Sequence, residues 1–263
     1  MITSQAAQPL LQVDAVGVRY GPVQALTDLS FSVAAGEIVA LIGESGSGKT
    51  TAARAIMGLV PVTHGRIMLD QNDITHARGA QRRAVWAQMQ MVFQDPSASL
   101  SPRLDAAEII AEPLLAHGHS AANARQRAAE LLDLVGLPAS TLDCRATALS
   151  GGQRQRLAIA RALALKPRLV VADEPMSALD VSVKAQIAAL FLELRATTGT
   201  SFLIIAHDLA LMAQVADRAA VLQSGRLVEI GPIATMLASP AQPYTAMLRD
   251  ACLDPFLLVA GKQ

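Results

Sequence analysis

The octapeptide Gly43-Glu-Ser-Gly-Ser-Gly-Lys-Thr50 constrains the fold of this chain more than any other segment. It fits the pattern G-x-x-x-x-G-K-[ST] at every fixed position. Its flanks matter as much. Ahead of it runs Ile38-Val-Ala-Leu-Ile42, short, rich in branched residues and bounded by Gly36 and Gly43. That pattern predicts a strand buried on both faces rather than a helix. Behind it, Thr50 to Met57 reads as a helix, with Gly58 and Pro61 as stop signals. A glycine loop in that setting lets successive backbone N–H groups converge on one concavity, an anion nest at a helix N-terminus. The lysine and threonine suit a polyphosphate, Lys49 reaching its β- and γ-phosphates and the Thr50 hydroxyl a Mg²⁺ ion. A flexible Gly/Ser turn that happened to precede a lysine would need no such flanks.

Two further runs repeat the buried-strand pattern, Leu169-Val-Val-Ala172 and Phe202-Leu-Ile-Ile-Ala206. Between them, Val183, Ile187, Leu190, Phe191 and Leu194 mark one face of a helix that ends at Gly199. Strand, helix and strand in alternation predict an α/β fold with a parallel sheet. The first thirty-odd residues alternate differently, with strand-like runs at Leu11–Val18 and Ala25–Val33 around the turn residues Gly21 and Pro22. From Pro96 to Leu149 the texture is Ala- and Leu-rich, and Ala121 to Val135 reads as a helix closed by Gly136 and Pro138. We read this stretch as a helical subdomain inserted between the two halves of the sheet, over about 96–154.

Composition narrows the function. With 263 residues the chain can bury a large core, and 52% hydrophobic against 17% charged residues excludes a disordered chain. Lys plus Arg and Asp plus Glu number 22 each, so no bulk positive field recommends a nucleic-acid partner. Cys144 and Cys252 are too few for a disulfide framework, which fits a reducing compartment. Met1 to Val13 lacks the pattern of a signal peptide, and Pro232, Pro240 and Pro243 interrupt the apolar stretch Ile230–Leu248, so neither a secretory leader nor a membrane span is expected. A mean hydropathy of +0.35 nevertheless suggests surfaces covered by a partner.

The second buried run emerges into Asp173-Glu174. In an open α/β sheet, ligands sit at the carboxyl ends of the strands, the edge that also presents the phosphate loop. Asp173 is then placed to hold Mg²⁺ through its water shell, and Glu174 to orient or deprotonate a water for attack on the γ-phosphate. The third run ends in His207-Asp208, on the same edge, where His207 suits a polar contact to that phosphate. Leu149-Ser-Gly-Gly-Gln153 precedes a basic helix, Arg154 to Leu165, and forms a second potential anion site with Ser150 as N-cap. One phosphate-loop lysine with two anion-binding helix starts suggests a nucleotide shared between two chains.

Taken together, Gly43–Thr50, Leu149–Gln153 and Asp173-Glu174 resemble the ATPase subunit of an ABC (ATP-binding cassette) transporter over nearly the whole chain. The resemblance implies a P-loop NTPase core with a mainly parallel sheet, an N-terminal antiparallel β subdomain and an inserted helical subdomain, spanning 10–240. It implies an ATP-binding set of Tyr20, stacking on adenine, and Gly43, Glu44, Ser45, Gly46, Ser47, Gly48, Lys49, Thr50 and Thr51. Gln94 corresponds to the glutamine that senses Mg²⁺ and the attacking water, with Thr50 and Asp173 as further Mg²⁺ contacts, and His207 to the switch histidine. Ser177-Ala-Leu-Asp180 corresponds to the loop that crosses the dimer interface, and Ser150, Gly151, Gly152, Gln153 and Asp180 would meet the ATP of a partner subunit. Met176, where the family often has Thr, is a small departure.

Phe93-Gln-Asp-Pro-Ser-Ala-Ser-Leu-Ser-Pro-Arg103 and Ala241-Gln-Pro-Tyr-Thr-Ala-Met-Leu248 are similar to segments of the peptide and nickel import subfamily, the second opening a C-terminal extension over 241–263. This implies a second, non-identical ATPase subunit, two membrane permeases and an external substrate-binding protein, with the chain peripheral on the cytoplasmic face of the inner membrane. Cys252 is the single cysteine of the tail, so no iron–sulfur cluster is expected. His117-Gly-His119 offers two ligands without a third and reads as a solvated loop, not a nickel site. A soluble ABC protein acting on ribosomes or DNA is the alternative. It is disfavoured by the single cassette, the zero net charge and the absence of a heptad run. The intact Lys49, Ser150, Asp173, Glu174 and His207 argue against a cassette that binds ATP without turning it over.

Overall fold

The computed structural model describes residues 8–253, and side chains through Ala251; residues 1–7, the Cys252 side chain and positions 254–263 of the expected extension lie outside the described residues. The chain opens with β1 (Leu11–Tyr20), β2 (Val23–Val33) and β3 (Ile38–Ile42), the last followed by the phosphate loop and helix α1 (Lys49–Ile56). Next come β4 (His64–Leu69), β5 (Asn72–Asp73), α2 (Gly79–Gln88) and β6 (Met89–Val92). A helical segment follows, with α3 (Pro96–Ser99), α4 (Ala106–Ala116), α5 (Ala121–Leu134) and α6 (Gly151–Ala162). The chain then returns through β7 (Leu169–Asp173), α7 (Val181–Thr198), β8 (Ser201–Ala206) and α8 (Leu209–Met212). It finishes with β9 (Arg218–Gln223), β10 (Arg226–Pro232), α9 (Ile233–Ala238) and α10 (Pro243–Leu253).

Six strands form one sheet in the order β10-β9-β3-β8-β7-β6, parallel except for the β9–β10 hairpin. The others form an antiparallel sheet ordered β2-β1-β4-β5. All five residues of β3, β7 and all six of β8 are buried, as continuous apolar runs require. The two-residue period divides them between two cores. Ile38, Ala40 and Ile42 pack with α4, α5, α6 and α7, whereas Val39 and Leu41 pack with α1 and the antiparallel sheet. Helices and the small sheet thus cover both faces, leaving the strand ends as the open edge. Among the described residues no helix is long and apolar enough to cross a membrane.

Local chemistry sets the helix ends. Ser150 and Gln153 form a reciprocal capping box, Ser150 Oγ accepting from the Gln153 amide at 3.3 Å and Gln153 Oε1 from the Ser150 amide at 2.9 Å. The basic helix therefore starts at Gly151, three residues ahead of the expected start, with both glycines in its first turn. Asp105 and Glu108 cap α4 in the same way. At its other end, His117 lies over the last turn, with Nδ1 2.9 Å from the Pro113 carbonyl and Nε2 3.3 Å from that of Arg83, while His119 is exposed. His117 is thus more tied down than a solvated loop, whereas His119 agrees with that reading. Among the described residues no cluster of three or more His, Cys, Asp or Glu could hold a metal ion.

The central contact between sheet and helix is aromatic. Phe191 of α7 meets Phe202 of β8 edge to face, ring centroids 5.1 Å apart, and both are fully buried. Replacing Phe191 by Ala removes that contact and leaves a cavity. The variant is expected to lose about 3–5 kcal/mol of unfolding free energy in urea titration.

Candidate functional site

The phosphate loop is held tightly by its own backbone. A Cβ on Gly43 would come within 2.3 Å of the Leu222 carbonyl oxygen and 2.6 Å of Ser47 Oγ, so only glycine fits there. Gly48, at φ 106°, sits in a conformation that L side chains rarely adopt. Inside the loop Lys49 is 4% exposed, and its ammonium donates to the carbonyls of Gly43 and Glu44 at 2.7 and 2.8 Å. Burial pulls its pKa down, against the attraction of Glu174, Asp173 and Glu44. The tip of the β9–β10 hairpin braces the loop from outside, the Gly225 amide donating to the Ser47 carbonyl at 2.9 Å.

The two carboxylates leave β7 in different ways. Asp173 is 3% exposed and accepts from the Thr50 hydroxyl at 3.2 Å. Burial raises its pKa, and neighbouring Glu174 adds to the rise, while the Thr50 hydrogen bond, Arg54 and Lys49 oppose it. A buried carboxylate beside a hydroxyl is a hard-oxygen pair of the kind Mg²⁺ takes, and a cation there relieves the desolvated charge. The residues fit that ion. Glu174 turns through a left-handed φ of 43°, costly for a residue with a Cβ. Its amide still donates to the Ile205 carbonyl at 3.0 Å, so the turn stays tied to β8 while the side chain leaves the sheet. Gln94 Nε2 donates to Glu174 Oε2 at 3.1 Å.

Apart from Asp173, which stands behind Thr50, these groups surround one open cavity of about 1000 Å³. Glu44, Ser45, Gly46, Gly48, Lys49, Thr50, Thr51, Gln94, Glu174 and His207 all line it. Gln94 also borders a second, more apolar groove of about 800 Å³, walled by Trp86, Phe93, Pro113 and Asp173. Tyr20, expected against adenine, stands at the β1–β2 turn. It ends the β1–β2 pairing opposite Val23, is 44% exposed, and is not among the cavity-lining residues, where Val23, Gln24 and Ala25 stand instead. Ser150, Gly151, Gly152, Gln153 and Asp180 do not line the cavity either. They share a different surface. A Cβ on Gly152 would meet Val183 Cγ1 at 2.8 Å, so the start of α6 lies hard against the first turn of α7, whose N-cap is Asp180.

Sequence reasoning missed the Ser224–Gly225 hairpin tip and two residues of α10, Leu248 and Ala251, on the cavity wall. No local signal marks them, since each reaches the loop through tertiary packing.

The sequence profile of the ABC transporter family matches residues 26–177. The chain belongs to this family. The probable peptide ABC transporter ATP-binding protein y4tS of Sinorhizobium fredii is 47% identical over 236 residues, which cover 89% of this chain and 66% of that protein. The oligopeptide transport ATP-binding protein OppF of Bacillus subtilis is 43% identical over 235 residues, 88% of this chain and 77% of the relative. Among solved structures, an ATP-binding cassette dimer in a post-hydrolysis state with ADP and Pi is 28% identical with a TM-score of 0.76, over 85% of this chain and 98% of the other. As an ABC cassette, the chain carries its phosphate loop at the carboxyl edge of a sheet whose three fully buried strands are β3, β7 and β8.

Because nothing larger than hydrogen fits at Gly43, Gly43→Ala is expected to displace the loop and lower unfolding free energy by about 1–3 kcal/mol, read by chemical denaturation.

Proposed function

We propose that this chain is the ATP-hydrolysing subunit of a peptide importer, working as half of a head-to-tail ATPase dimer. The observation that carries the reading is the convergence of the phosphate loop, Glu174, Gln94 and His207 on one cavity. The peptide class follows the names of the relatives, which favours peptides over nickel or a metal chelate as cargo.

Each residue has its own role in this reading. Backbone N–H groups of the loop, ending in Lys49, Thr50 and Thr51, cradle the phosphates. Lys49 spends two of its three N–H bonds on carbonyls of the loop and keeps the third for a phosphate oxygen. Thr50 directly, Asp173 through its water shell and Gln94 beside them would hold Mg²⁺, which would supply positive charge to offset that on the phosphate oxygens. Glu174 orients or deprotonates the attacking water, and Gln94 fixes the carboxylate through their hydrogen bond. Water oxygen bonds to the γ-phosphorus as the bond to the ADP oxygen breaks, giving ADP and phosphate. His207 contacts the γ-phosphate from the end of β8. Tyr20, exposed with Val23 beside it, offers its ring to the adenine.

Ser150, Gly151, Gly152, Gln153 and Asp180 close on the nucleotide of the partner subunit, a non-identical cassette. The dimeric state named for the similar solved cassette supports this arrangement. ATP binding shuts the dimer and hydrolysis reopens it, driving two permeases fed by an external binding protein, with the chain peripheral on the cytoplasmic face of the inner membrane. The groove beside Gln94 supports a link from the site to a permease, because one side chain borders both spaces.

Two variants test the roles. Glu174→Gln is expected to keep MgATP binding and accumulate a closed dimer on gel filtration, with phosphate release slowed at least about 100-fold. Wild-type hydrolysis would remove Glu174 from its role. Lys49→Ala loses a charged hydrogen-bond donor, so its MgATP affinity, measured by calorimetry, is expected to fall about tenfold or more. Unchanged affinity would sink the phosphate-loop reading.

A further inference from the structure

Helix α10 reaches the phosphate loop from the far end of the chain. The Glu44 amide donates to the Tyr244 hydroxyl at 3.1 Å, across 200 positions of sequence. Leu248 and Ala251 lie four and seven residues beyond Tyr244, one helical stripe, and both line the cavity with Lys49 and Glu174. The helix is fixed where it begins. Glu229 of β10 accepts from the amides of Ala241 and Gln242, both at 3.0 Å, immediately before Pro243. Thr245 is fully buried and Leu248 is 5% exposed. Burial also raises the Tyr244 pKa, so the phenol stays protonated at neutral pH.

We infer that α10 is a structural wall of the nucleotide site and that Tyr244 is a positioning residue which holds the phosphate loop in its anion-binding shape. The inference deepens the ATPase reading above and rests on it. A loop already ordered loses less freedom on binding a triphosphate, so the tether raises nucleotide affinity without touching the reacting atoms. Coupling between helix docking and nucleotide binding is reciprocal, and a bound nucleotide must in turn hold α10 down.

Tyr244→Phe keeps the ring and removes only the acceptor oxygen. In the full chain, MgATP affinity by calorimetry is expected to weaken about three- to tenfold, the loss of roughly one hydrogen bond. The KM for ATP should rise with it while kcat stays within about twofold, because the tether acts on binding alone. Hydrogen exchange over 43–48 should quicken in the nucleotide-free variant. In the wild-type chain, saturating MgATP should slow exchange across 243–251, a readout that needs no variant. Unchanged affinity in Tyr244→Phe overturns the proposal, even if thermal stability falls. So does a lower kcat at unchanged affinity, or an absence of MgATP protection over 243–251. If wild-type chain fails to bind MgATP, the ATPase reading falls and this inference with it; if wild type binds and Tyr244→Phe binds equally well, only the inference falls.

Discussion

A buried ammonium organises this molecule. Lys49 sits inside its own loop, bonded to the carbonyls of Gly43 and Glu44 rather than to a carboxylate, and burial weakens its hold on the proton. A cation in that position is stable only if the surrounding dipoles are fixed and an anion completes the set. The fixed dipoles come from a loop clamped on several sides: beneath by the Leu222 carbonyl against Gly43, outside by the Gly225 amide on Ser47, and at Glu44 by Tyr244. Electrostatic need and mechanical restraint therefore coincide at one short segment.

The sheet explains why the chemistry gathers where it does. β3, β7 and β8 are buried on both faces, so their middle residues are apolar and belong to core packing. Function is left to the residues at which those strands stop. Asp173 ends one strand, Glu174 and His207 follow two of them, and the glycine loop follows the third. The left-handed turn at Glu174 is a visible part of this arrangement, a local backbone cost accepted where the chain swings its carboxylate out of the sheet.

The sequence was most readable where local chemistry dictates structure. Continuous branched runs announced β3, β7 and β8, Gly199 marked the end of α7, and the Ser150–Gln153 pair carries the signature of a capping box. The phosphate loop, both carboxylates and His207 were legible because their spacing reflects strand ends on one edge. Other elements were not. β6 is a four-residue strand, Met-Gln-Met-Val, too short to show a period, and its place at the sheet edge depends on pairing with β7. The tip of the β9–β10 hairpin and the inner stripe of α10 act through contacts distant in sequence, which no local pattern encodes. Tyr20 rests on a family pattern alone: it pairs with Val23 at the turn end of the β1–β2 hairpin, and its exposed ring has no local signal of its own.

One amide side chain forms part of two walls. Gln94 borders the charged chamber on one side and the apolar trough beside Trp86 and Phe93 on the other, and it grips the Glu174 carboxylate. A segment that enters the trough therefore meets, as its neighbour, the group that sets the aim of that carboxylate. The two spaces also meet through Asp173, which walls the trough and accepts a hydrogen bond from Thr50 of the chamber.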